Sequence, residues 1–262
     1  MVFGSPCQSF SLAGKRRGMD DPRGNLALVA LGVVQTIRPR WFVFENVPGL
    51  LSSANGRDFG ALLWQVEECG YGWAYRTIDV RFYGLPQRRR RLFLVGYRFP
   101  VGDFGDWRPA AAVLFDASCL QPDPPRRRET QANVAGTIEK SIGECSAFSF
   151  QPRIGRCGRG QPSTIAPALA GSNAGATSDS RPCVVIFDRK TGNYIVRRLT
   201  PRECERLQGF FDDYTLVQFR RKPLTDTQRY QVLGNSMPVP VIRWIGRRIG
   251  RVDALIGRLQ PE

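Results

Sequence analysis

Cys7 stands in Phe3-Gly4-Ser5-Pro6-Cys7-Gln8-Ser9-Phe10-Ser11, just past a short apolar stretch, and Glu45 directly follows Trp41-Phe42-Val43-Phe44. A thiol and a carboxyl at the ends of two strand-like segments suit addition chemistry on an electron-poor pyrimidine ring. The thiolate would attack a ring carbon, and a carboxyl kept partly protonated by burial would meet the ring nitrogen where negative charge builds. One loop and one crossover helix fit between the two residues, which places them at neighbouring strand ends. A buried structural cysteine and a surface acid are the competing readings. The residues around Cys7, and the attachment of Glu45 to an aromatic strand, favour chemistry.

Three more blocks follow in order: Gln87-Arg88-Arg89-Arg90-Arg91, then Arg198-Leu199-Thr200-Pro201-Arg202-Glu203 running on to Gly209-Phe210, then Gly234-Asn235-Ser236. With the Pro-Cys-Gln and Phe-Glu-Asn-Val blocks, this chain resembles the cytosine carbon-5 DNA methyltransferases of phage and prophage type. The resemblance implies an α/β chain: an incomplete Rossmann-like, S-adenosylmethionine-dependent methyltransferase fold with a small, loop-rich target-recognition domain. It implies that Cys7 adds to carbon 6 of a flipped cytosine, that Glu45 bonds ring nitrogen 3, and that Asn46 holds the adjacent backbone. Arg91 would meet the cytosine carbonyl oxygen, and Arg89 would position the loop, the Cys7 region or a phosphate. Alternate residues of an extended segment face one way, so Gln87, Arg89 and Arg91 form a set and Arg88 and Arg90 read as a solvated face.

The stretch from Ser9 to Gly24 resembles the mobile catalytic loop of the family, with Gly14 and Gly18 for freedom and Lys15, Arg16 and Arg17 for the DNA backbone. Gln8, Ser9 and Gln87 join these as residues that the resemblance places against double-stranded DNA, where the target base must leave the stack. Pro6, Leu26, Asn235 and Ser236 would line the pocket for S-adenosyl-L-methionine. Gly-Asn-Ser alone is a weak signal, since it serves equally as a cap before the last helix. Bases would be read from roughly 101–197, and the target sequence is not legible.

The elements that must hold these groups alternate. A buried strand tail at Val2-Phe3-Gly4 precedes a loop and a helix from Leu26 to Ile37, capped by Asn25 and stopped by Pro39. Trp41 to Phe44 is a strand, and Arg57 to Cys69 a helix ended by Gly70. Thr77-Ile78-Asp79-Val80 and Leu92-Phe93-Leu94-Val95 are further strands. Such alternation predicts a doubly wound layer with its site at the strand carboxyl ends. Residues 101–182 are rich in Pro, Gly, Arg and Ser and hold few convincing helices; a linker without fixed structure is the competing reading. Thr200-Pro201 opens a short helix, and a basic amphipathic helix spans about Val239 to Leu259. The expected domains are 1–100 catalytic, 101–224 target recognition, and 225–262 helices returning to the catalytic part.

Composition sets the outer limits. The 262 residues are 42% hydrophobic, enough for a real core, and carry a net charge of +15, which suits a polyanion. Seven scattered cysteines with no Cys-x-x-Cys pair and no histidine argue against zinc and for reduced thiols. No apolar run is long enough to span a membrane. The resemblance implies a cytoplasmic enzyme, bacterial or phage-encoded, acting at the nucleoid as in restriction–modification. It also marks what is not found: the Gly-rich turn after the first strand of the family, and the acidic residue after the second. Gly155 to Gly158 and Gly171 to Gly175 lack a strand–turn–helix setting. At least two strand–helix units, on the order of 60 residues, are expected from a separate N-terminal subunit or a missing segment. The sheet would then expose an edge and an apolar face. A non-catalytic, truncated or split-subunit DNA-binding remnant and an RNA-directed relative are the alternatives.

Overall fold

The computed structural model describes residues 1–5, 26–98, 105–115, 147–150, 166–167, 169, 183–188 and 192–259. They fall into two compact units: one takes 1–78, 90–123 and 243–262, the other 79–89 and 124–242. The second unit therefore takes 79–89 from within the expected catalytic stretch and keeps residues 225–242, while 101–123 stay with the first.

The first unit is a sheet flanked by helices. Its strands are β1 (Val2–Gly4), β2 (Trp41–Asn46), β3 (Gly72–Asp79) and, numbered fifth along the chain, β5 (Arg90–Tyr97), in the order β1-β2-β5-β3. β1 runs parallel to β2, with Gly4 opposite Glu45, whereas β5 runs antiparallel to β2, with Asn46 opposite Leu92. The sheet is thus mixed, where alternation alone suggests a parallel one. All six residues of β2 are buried, as expected of a strand covered on both faces.

α1 (Leu26–Ile37) and α2 (Arg57–Glu68) cover one face. Ala27, Leu31 and Val34 of α1 pack with Phe59, Leu62 and Val66 of α2 against Phe42, Phe44, Leu92 and Leu94. Each of these Val, Leu and Phe side chains stabilises by about 1.5–3 kcal/mol when fully buried. The opposite stripe of α1 is also apolar: Leu26, Val29, Val33 and Ile37 are 41–61% exposed. β1, expected as a buried strand tail, lies at the sheet edge among the described residues, with Val2 52% exposed.

α3 (Arg108–Leu114) is a helix in a stretch where the sequence pattern predicts almost none. Asp106 accepts from the backbone N–H of Arg108 at its start, and Arg248 donates to the carbonyls of Ala112, Val113 and Phe115 at its end. Both termini thereby find partners for their otherwise unsatisfied groups. In the register of β2 with β5 Phe42 faces Gly96, where a Cβ would lie 2.0 Å from the Phe42 ring. β3 begins at Gly72, earlier than expected, and ends at Asp79, after which Val80 opens a short 3-10 turn.

The second unit holds β4 (Gln87–Arg88) paired in parallel with β7 (Ala166–Pro167), and an antiparallel sheet of β6 (Ala147–Phe150), β8 (Cys183–Asp188) and β9 (Asn193–Arg198). α4 (Pro201–Gln208) and α5 (Asp226–Asn235) each start with a capping box, on Thr200 with Glu203 and on Thr225 with Gln228. Leu199, Cys204, Leu207 and Leu233 form its apolar centre with Ala166, Leu169 and Val184. Beside it Glu205, fully buried, accepts from the backbone N–H groups of Asp213 and Thr215, from the Thr215 hydroxyl, and from Arg229 at 3.1 Å. Between these helices a hairpin joins β10 (Gln218–Phe219) to β11 (Lys222–Pro223).

α6 (Val239–Leu259) matches the predicted last helix in both bounds. Asp253 on it accepts from the Trp41 indole at 2.9 Å and pairs with Arg40 at 3.2 Å. Among the described residues no helix is long and apolar enough to cross a membrane.

Candidate active site

The parallel pairing of β1 with β2 brings their carboxyl ends side by side. Just past β1, the Ser5 hydroxyl accepts a 2.8 Å bond from the Asn46 side-chain amide, and the Asn46 carbonyl oxygen accepts from the N–H of Val47. Asn46 therefore ties the exit of β1 to the end of β2. Sequence reasoning assigned Asn46 to the adjacent backbone but passed over Ser5, whose position directly after a strand was the available signal. Cys7, Pro6, Gln8, Ser9, Lys15, Arg16 and Arg17 lie outside the described residues, as does Asn25, the expected cap of α1.

Glu45 lies at this end of β2, with 11% of its side chain exposed, and Arg91 lies at the start of β5. Their Oε1–Nε separation is 3.0 Å, and Arg91 also donates to the carbonyl of Arg90. The antiparallel register of β2 and β5 makes this possible, since it sets Arg91 one residue beyond the Asn46–Leu92 pair. At this distance the two largely enclosed groups form an ion pair.

The arginine block alternates as an extended segment should: Gln87 and Arg89 are buried, Arg88 and Arg90 exposed, and Arg91 intermediate. The block also straddles the units, with Gln87 and Arg89 in the second and Arg91 in the first. Arg89, 2% exposed, donates to the carbonyls of Leu169 at 3.4 Å, Gly234 at 3.2 Å and Ser236 at 2.8 Å. Phosphate, one of the partners expected for it, would have to compete with three carbonyls. The Gln87 amide is fully enclosed, with neither end hydrogen-bonded among the described residues, so a contact with DNA would require it to be uncovered.

Gly234-Asn235-Ser236 closes α5, and the Ser236 hydroxyl donates to the carbonyl of Leu233. Asn235 is exposed, and Leu26 is 41% exposed. The preceding block, Arg198 to Phe210, forms the end of β9 and all of α4, whose Arg197–Glu203, Arg206–Asp212 and Arg202–Asp213 pairs lock the helix to its surroundings.

A family model for C-5 cytosine-specific DNA methylases matches residues 1–140 and 126–251. The type II methyltransferase M.MthTI of Methanothermobacter thermautotrophicus is 31% identical over 260 residues, which cover 95% of this chain and 77% of that protein. M2.BsuMI of Bacillus subtilis, also a type II methyltransferase, is 29% identical, and the chain spans 62% of its length. Among solved structures, the Entamoeba histolytica methyltransferase EhMeth superposes with a TM-score of 0.54 at 16% identity, over 95% of this chain and 75% of that one. The Dnmt2 methyltransferase of S. pombe gives 0.52 at 17% identity, over 93% and 76%. At these identities the two structures speak for the fold.

Proposed function

The chain belongs to the C-5 cytosine-specific DNA methylase family, and from that premise we propose that it serves methyl transfer from S-adenosyl-L-methionine to carbon 5 of cytosine in duplex DNA. The observation that carries this reading is the Glu45–Arg91 pair at the carboxyl end of β2. A cytosine ring offers nitrogen 3 and the carbonyl oxygen as neighbours, and an acid beside a guanidinium matches that edge. The Cys7 thiolate would add to carbon 6, and the electron pair released toward carbon 5 would take the methyl group. Loss of the carbon 5 proton and expulsion of the thiolate then restore the ring. The cytosine must be out of the duplex stack for this attack.

Asn46 and Arg89 have positioning roles in this scheme, one tying Ser5 to β2 and the other clamping the Gly234–Ser236 carbonyls. Of the residues the resemblance offers to the donor, Asn235 brings an exposed amide and Ser236 a hydroxyl, both in the second unit. When bound, the donor supplies an electrophilic methyl group.

The test is incorporation of labelled methyl into unmethylated DNA, followed by base analysis. We expect 5-methylcytosine, its loss in Cys7→Ala, and a trapped adduct on duplex carrying 5-fluorocytosine. Incorporation that survives Cys7→Ala, or product on adenine, would remove the assignment. A second reading is favoured by the exposed apolar stripe of α1 and by the place of β1 at the sheet edge among the described residues: a DNA-binding subunit whose donor site is completed by another polypeptide. Micromolar donor binding by this chain alone, measured by calorimetry, would argue against it.

A further inference from the structure

The β10–β11 hairpin turns on two residues, Arg220 and Arg221, both with positive φ, at 52° and 62°. A two-residue hairpin turn of this hand asks for left-handed backbone at both positions, and Asn-Gly or Asp-Gly meets that demand with least strain. Two arginines here are a poor choice for folding. Strained residues of this kind point to a use for their side chains.

The surroundings say what that use is. Arg220, Arg221 and Lys222 are all exposed, and none forms an ion pair among the described residues. Elsewhere in the same unit, Arg197, Arg202, Arg206 and Arg229 each pair with a carboxylate. Unlike these four, the cations at the hairpin tip have no carboxylate partner among the described residues. The guanidinium of Arg220 lies 5.2 Å from the centroid of the Phe219 ring, which is itself 58% exposed. That contact holds the guanidinium out on a narrow tip, with its fork of donors open to an anion.

We propose that the β10–β11 hairpin is a clasp for the phosphate backbone of duplex DNA, contributing affinity without reading bases. Arg220 and Lys222 supply the main contacts, and Arg221 adds charge at the cost of backbone strain. The inference rests on the chain acting on DNA, as proposed above. It needs no side chain of the catalytic machinery, since phosphate contacts position a protein on the duplex whatever the sequence.

The experiment uses the full chain and a fluorescent duplex, with anisotropy measured across a salt series for the wild type, Arg220→Ala/Lys222→Ala, and Arg221→Gly. The double variant is expected to lower the slope of log affinity against log salt by about 2, because each lost phosphate contact removes about 0.9 counterion. Glycine enters positive φ freely, so Arg221→Gly is expected to raise the thermal midpoint while weakening binding. A hairpin with only a structural role would move stability and binding in the same direction. Unchanged slopes in both variants, or a wild type that does not bind duplex, overturn the proposal. A larger loss on tRNA than on duplex does so too. Methyl transfer is measured in parallel: slopes that fall without any transfer spare the clasp and sink the catalytic reading, and intact transfer with unchanged slopes does the reverse.

Discussion

Glu45 Oε1 stands 3.0 Å from Arg91 Nε, joining the last turn of one strand to the first residues of its antiparallel neighbour. Both groups are mostly enclosed, so solvent and salt screen the pair less than they would on an open surface. The proposed chemistry depends on the two staying adjacent.

Glu45→Gln keeps the shape of the side chain but removes its charge and its protonation. Methyl transfer is expected to fall by about 10²–10⁴, the range for loss of a positioned acid or base. Arg91→Lys should reduce it by a comparable factor, since a point charge does not reproduce the planar fork. Single-turnover incorporation at saturating DNA checks both. Equal loss of affinity and no change in the chemical step would contradict the assignment.

Arg89→Ala is expected to act on stability. It leaves the carbonyls of Leu169, Gly234 and Ser236 without their donor, at about 1–3 kcal/mol for each buried group left unsatisfied. Denaturant unfolding should show a lower midpoint with little change in slope. Arg89→Lys should recover part of the loss.

Acid should loosen the second unit. Burial pushes the carboxyl of Glu205 up, but the hydroxyl and N–H of Thr215, the Arg229 guanidinium and the N–H of Asp213 outweigh it and hold it below the ordinary glutamate value. Glu203 is likewise pushed up by burial and held down by Arg197 and Thr200. A carboxyl depressed in the folded state binds its proton more readily when unfolded. The stabilisation is therefore complete above the ordinary glutamate range, about pH 4.3, and is lost as pH falls through it toward the lower folded values. Glu205→Gln, which breaks a buried pair, should cost about 3–5 kcal/mol near neutrality and flatten this dependence. Thermal midpoints between pH 3 and 7 would show it.

Val29→Glu with Val33→Glu should leave the thermal midpoint nearly unchanged. The two residues lie on the solvent-facing stripe of α1, away from Ala27, Leu31 and Val34, so charge there costs little folding energy. Thermal unfolding of the double variant checks this, and a fall as large as that of Leu31→Ala in the core would contradict it.

Much of this architecture is legible in local patterns. The helical periods of α1, α2 and α6, the stop at Gly70 and the Thr200–Pro201 start all lie where spacing and capping chemistry put them. α3 escapes because seven residues opening on Arg108-Pro109 carry too little periodicity, although Asp106 two positions earlier is a usable start signal. The direction of β5 escapes for a different reason. Its residues suit a parallel or an antiparallel neighbour equally, and only long-range pairing decides. That one ambiguity conceals the Glu45–Arg91 contact, since a parallel β5 would place Arg91 at the wrong end of β2. The Arg89 clamp is equally non-local, its partners lying near residues 169 and 234–236. The Glu205–Arg229–Thr215 group was missed because a buried acid in α4 reads as one more charged helix position until its partners are folded around it.

The alternation of cover along residues 87–91 has a further meaning for how this stretch tolerates change. Saturation mutagenesis across it should trace a comb: sharp penalties at the covered Gln87, Arg89 and Arg91, and milder ones at the exposed Arg88 and Arg90. Four identical letters in a row would then separate into two kinds of residue, told apart by nothing but the pleat of the backbone.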